Sequence, residues 1–220
     1  MIHSYAYWID AAGSIVGPRS FQPKPSGCIF DWLIQENRIA NSTPVLRRST
    51  VERAGPWDER IFTTADWDMW LRASRVAEVD FIPEVLARSR LTSHFTRRNI
   101  ELTRREYLYV LDKYRSELTP RRYGRSLANM HFHLSRLYAS NGDLVAAAGA
   151  CREAARLASD RRGFRATLWT YRLGDPANRL LSWGWRCFTR LSCWWQIFRQ
   201  GADVHPVEGR WGFRATGGVP

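Results

Sequence analysis

Lysine is nearly missing from this chain. Of its 33 basic residues only Lys24 and Lys113 are lysine; the others are arginine, and the net charge is +12. An excess of that size invites a polyanionic partner, either nucleic acid or anionic lipid. The arginines are scattered, however, and no binding motif organises them, so they read as solvated helix faces and no specific nucleic acid is expected. Cysteine is also scarce. Cys28, Cys151, Cys187 and Cys193 lie far apart, without C-x-x-C or Cys/His ligand spacing, and reduced thiols in a cytosolic protein are the expectation. No window reaches about 18 apolar residues free of charge, which argues against a transmembrane helix. The start, "MIHSYAYWID", has neither the basic nor the apolar region of a signal peptide. A length of 220 residues holds one ordinary domain, or a small domain with an appendage.

What is present begins as α/β. "IHSYAYWID" is a strand candidate; "DAAGS" supplies turn residues before a second short strand, "SIVG", which predicts a hairpin. "QPKPSG" is a Pro-rich loop. "SGCIFDWLIQEN" has helical spacing, with Ile29, Leu33 and Ile34 on one side. "NSTPVLRRS" reads as extended, and Ser49 as the N-cap of a short helix closed by Gly55. "EVDFIPEVLARSR" gives two short strands interrupted by Pro83.

From about residue 95 the pattern is helical. "NIELTRREYLYVLDKYRSEL" puts Ile100, Tyr107, Val110 and Leu111 on one face, and Pro120 starts a new element. Two further helices are expected around the turn "SNGD"; Leu127, Tyr138, Gly142, Ala146 and Ala154 are spaced similarly to one tetratricopeptide-like hairpin. A single such unit must pack on the first part of the chain or on a partner. Residues 179–199 carry six aromatics and four Arg without an acid. That composition suits an amphipathic helix on an anionic membrane surface, or a packing helix that caps the hairpin. Residues 201–220 read as a disordered tail.

The stretch "FTTADWDMWLRA" carries the chemistry. Thr63 and Asp66 have the spacing of a capping box. Asp66 and Asp68 both suit the positive end of a helix, and Met69, Trp70 and Ala73 give a buried stripe. Asp66-Trp67-Asp68 is also a literal D-x-D. Side chains two apart on a helix diverge, so a shared metal there is not expected.

The longer run "NSTPVLRRSTVERAGPWDERIFTTADWDMWLRASRVAEVDFIPEVLARSR" resembles the C-terminal half of a family 2, GT-A-type glycosyltransferase domain. That pattern runs from "stvl-RR" through "GgFDE" and "EDwDlWlR" to a "yiPevLvrYR" strand and a nearby His. The matching residues are Arg47, Arg48, Gly55, Trp57, Asp58, Glu59, Asp66, Asp68, Trp70, Arg72, Pro83 and Arg90. Ala65 departs from the pattern's Glu, and Arg90-Leu-Thr-Ser-His94 replaces its R-x-H.

The resemblance implies an α/β fold, a partial GT-A-like and Rossmann-like sheet fragment over residues 1–95, followed by an all-α region over 96–200. It implies that Asp66 is the catalytic base that takes the acceptor hydroxyl's proton. Trp57, Asp58 and Glu59 would line the acceptor side. Trp67 either stacks on a sugar face or packs in the core; Arg90 and His94 either meet the leaving diphosphate or sit on the surface without a role. The implied reaction is inverting transfer from a nucleotide-sugar donor to a glycan or lipid-linked acceptor, in cell-wall or polysaccharide synthesis. The expected place is cytoplasmic, peripheral on the inner face of the membrane. Such a domain opens with a nucleotide-binding half whose strand-end D-x-D holds Mn²⁺ or Mg²⁺; here "YAYWIDAAGSIVG" resembles the hairpin after that strand. The donor half is therefore expected to be absent, this chain to hold no cofactor of its own, and the chain alone not to transfer sugar. A non-catalytic helical interaction module and a peripheral membrane protein are the alternatives.

Overall fold

The aromatic and β-branched run at the start forms strand β1 (Ile2–Ile9), the centre of a three-stranded sheet. The computed structural model describes residues 1–18, 24–90 and 100–172, together with strands at 204–207 and 210–213. β2 (Ile15–Pro18) returns antiparallel to β1 across the expected turn. There the Asp10 carboxylate accepts the Ser14 N–H at 2.9 Å, and Gly13 takes φ +87°, which a side chain would disfavour. On its other side β1 pairs in parallel with β3 (Asp80–Arg90). A parallel neighbour requires a crossover, and three helices supply it: α1 (Phe30–Leu33), α2 (Arg48–Ala54) and α3 (Ala65–Val76).

Three expectations change here. The two strands predicted around Pro83 are one continuous strand. Its register jumps from Ser4↔Ile82 to Tyr5↔Val85, so Pro83 and Glu84 bulge out and the missing proline N–H interrupts no ladder bond. The helix read over "SGCIFDWLIQEN" shrinks to a single turn, although its apolar side Ile29, Leu33 and Ile34 is buried throughout. Helix α2 starts two residues early, with Arg47 rather than Ser49 at the N-cap and no side-chain cap bond; Gly55, at φ +81°, ends it as expected. "NSTPVLRRS" is extended but touches the sheet only through the bridge Ile2↔Val45.

The second half is helical: α4 (Ile100–Lys113), a 3₁₀ turn (Arg115–Glu117), α5 (Pro120–Ser140), α6 (Leu144–Leu157) and α7 (Arg162–Arg172). Pro120 opens α5 behind a Thr119 cap, and Asp143 caps α6 after the "SNGD" turn. The fold is thus mixed α/β with helices dominant. Ile29, Leu33, Trp67, Met69 and Leu71 from the first half share one buried cluster with Tyr107, Val110, Leu111, Met130 and Leu134 from the second. Ser126 donates to the Ile34 carbonyl and Asn129 to that of Gln35, so α5 packs on the first half along one flank. Its other flank meets α6 and α7 through Ala128, Ala154 and Phe164.

Residues 179–199 lie outside the described residues. Where the sequence reads as a disordered tail, β4 (Val204–Val207) and β5 (Arg210–Phe213) pair antiparallel, consistent with their valine, tryptophan and phenylalanine content. Among the described residues no helix is long and apolar enough to cross a membrane.

Candidate active site at the start of helix α3

The capping box expected from Thr63 and Asp66 does not form. The N-cap is Thr64, its side chain makes no cap bond, and Asp66 falls at the second helical position. The carboxylate of Glu106, on α4, takes over the role. It accepts the backbone N–H groups of Phe62, Thr63 and Thr64 at 3.0, 2.6 and 3.1 Å, and the Thr63 hydroxyl at 2.6 Å. A full negative charge facing the N-cap amide of Thr64 and the two amides before it outcompetes a neutral hydroxyl. Glu106 is buried, and its charge is met by those donors and by the positive helix end.

Beyond the cap the two acids part. Asp68 is fully buried and held by two cations: Arg72 Nε donates at 2.9 Å and Lys113 Nζ at 2.7 Å. Lys113 also reaches Asp58 at 2.6 Å. Burial pulls the Lys113 ammonium down, but its bonds to the two carboxylates overcome this and leave it raised. Asp58 further accepts Arg60 through two parallel bonds of 2.9 and 3.0 Å, and the Tyr109 hydroxyl at 2.9 Å. The Arg60 guanidinium, with Lys113 and Tyr109 behind it, holds the Asp58 carboxyl well below the usual carboxylate range. Arg72 carries the network onward to the carbonyls of Ala54 and Gly55, at the end of α2.

Asp66 belongs to another neighbourhood. It is half-buried; Asn37 Nδ2 donates to it at 3.1 Å and the Trp67 N–H at 2.7 Å. Trp67 is 1 % exposed, donates Nε1–H to the Leu33 carbonyl at 2.8 Å and lies 4.7 Å from the Tyr107 ring. Of the two readings of Trp67, core packing is the one seen; its ring offers no face to a sugar.

Trp57, Asp58 and Glu59 come together at an open cleft of about 460 Å³, completed by Pro56, Arg60, Arg72 and Lys113. Half-exposed Trp57 rests edge-to-face on buried Trp70 at 5.9 Å. Asp66 is not among the lining residues of that cleft. Arg90 donates to the carbonyls of Asp10 and Ala11 at 2.6 and 2.7 Å, tying the end of β3 to the β1–β2 turn. His94 lies outside the described residues.

Chemically, the Asp58–Lys113–Asp68–Arg72 network is neutralised from within, and its members are committed to one another. Asp66, at the helix start, is half-buried and accepts the Asn37 amide and the Trp67 N–H. The D-x-D does not fit a shared metal: Asp68 is saturated by cations and Asp66 turns to Asn37. Among the described residues no cluster of His, Cys, Asp and Glu could hold a metal ion. Sequence reading missed Asn37, Glu106, Tyr109 and Lys113. For Glu106 the signal was a Glu directly beside the apolar stripe of α4, where the helix packs against the rest of the chain. Comparison with known protein families, with characterised proteins and with solved structures gave no match.

Proposed function

We propose that this chain forms the acceptor side of an inverting, GT-A-type sugar transferase, with Asp66 as general base. The observation that supports this reading is the placing of Asp66: half-exposed at the first turn of α3, hydrogen-bonded by the Asn37 amide and the Trp67 N–H. N–H donors and a helix start both favour the ionised carboxylate that a base requires. In the proposed step the acceptor hydroxyl gives its proton to an Asp66 oxygen as its own oxygen bonds to the anomeric carbon. The nucleoside diphosphate leaves from the opposite face with the electron pair of the broken bond. The donor would be a nucleotide sugar and the acceptor a glycan or a lipid-linked glycan. The divalent cation of such enzymes would belong to a strand-end D-x-D that is not among these residues, and no step here depends on it.

The test is a sugar-transfer assay with and without Asp66→Asn. Asp66→Asn should cut turnover about 10²–10⁴-fold while donor binding persists. Full activity of that variant would refute the base role.

A further inference from the structure

Helix α4 touches the loop before α3 through one row of side chains. Glu106, Tyr109 and Lys113 lie three and seven residues apart, and so share a face. Tyr109 and Lys113 fasten the near end of the loop at Asp58; Glu106 fastens its far end at residues 62–64. The far fastening is the one that matters for the site, because the helix that begins there has no cap of its own. Asp66 stands two residues past Thr64. Its bond to Asn37 depends on where the first turn of α3 starts.

We infer that Glu106 is the positioning residue for Asp66: a buried carboxylate, delivered from the C-terminal helices, that fixes the first turn of α3 and so aims Asp66 at Asn37. The functional meaning rests on reading Asp66 as the base; the positioning itself does not. Glutamine in place of Glu106 keeps the size but replaces a charged acceptor of several bonds with a neutral one. Aspartate keeps the charge one methylene further back.

The experiment uses the purified 220-residue chain and needs no turnover. Amide hydrogen exchange and the Asn37 side-chain NH₂ resonances are compared for wild type, Glu106→Gln, Glu106→Asp and Glu101→Gln. The last removes an exposed acid from the same helix, paired with Arg104 across a surface bridge. Glu106→Gln should raise exchange at residues 62–67 about tenfold or more and release the Asn37 NH₂ toward solvent-exposed shifts. Glu106→Asp should recover part of both, and Glu101→Gln should change neither. Unchanged exchange and an unchanged Asn37 signal in folded Glu106→Gln would overturn the inference. So would a rise spread evenly over α4 and α5, which would mean general loosening. Should Asp66→Asn prove active in the transfer assay, the base reading falls, and these signals still decide whether Glu106 positions Asp66.

Discussion

The two sides of helix α3 treat their acids in opposite ways. On one side Asp68 is sealed from water and shared between Arg72 and Lys113, and Lys113 is shared again with Asp58. On the other, Asp66 is half-exposed and accepts the Asn37 amide and the Trp67 N–H. A buried carboxylate with two cations is a structural joint: removing either partner strands a charge in the interior. Two residues of sequence separate a joint from a candidate reagent.

The comparison can be broken from its strong side first. Asp68→Ala leaves Lys113 and Arg72 facing an uncharged gap and should cost about 3–5 kcal/mol of folding stability, read from urea or thermal unfolding. A loss below about 1 kcal/mol would mean the network behaves as a surface pair. Acid is the next lever. The Asp58 carboxyl is depressed in the folded state, chiefly by Arg60, so the unfolded chain binds its proton first. Its contribution is whole above the ordinary carboxylate range near pH ~4 and is lost as the pH falls toward the depressed folded value. Stability measured from about pH 5 down to about pH 2 should therefore fall less steeply in Asp58→Asn than in wild type; equal slopes would contradict the pairing. The smallest effect belongs to Asp66→Asn, expected within about 0.5 kcal/mol of wild type in stability. A large loss there would erase the distinction between the two sides.

The local features were legible in the sequence. The turn residues of the first hairpin, the Gly55 stop, the Pro120 start and the "SNGD" turn each act within a few residues, and each stands where expected. The apolar faces of the first helix and of α4 were legible for the same reason, since periodicity is a local signal. What failed was long-range. Thr63 and Asp66 fit a capping box, but Glu106, some forty residues onward, supplies a stronger acceptor. Ser49 fits an N-cap, but α2 begins before it. Pro83 interrupts a strand pattern, yet a bulge against β1 absorbs it. The burial of Trp67 rests on Tyr107 and Leu33, which no spacing rule joins to it.

Helices α2 and α3 start at Arg47 and Thr64, neither of which supplies a cap bond from its side chain. The end of α2 leans on Arg72 from α3, and the start of α3 leans on Glu106 from α4. Each helix therefore takes its terminal partner from the next one along the chain. Short helices without their own caps are marginal in isolation, so a peptide of residues 47–77 should be largely unstructured in water. The site would then assemble only in the final, cooperative step of folding, after the C-terminal helices have docked.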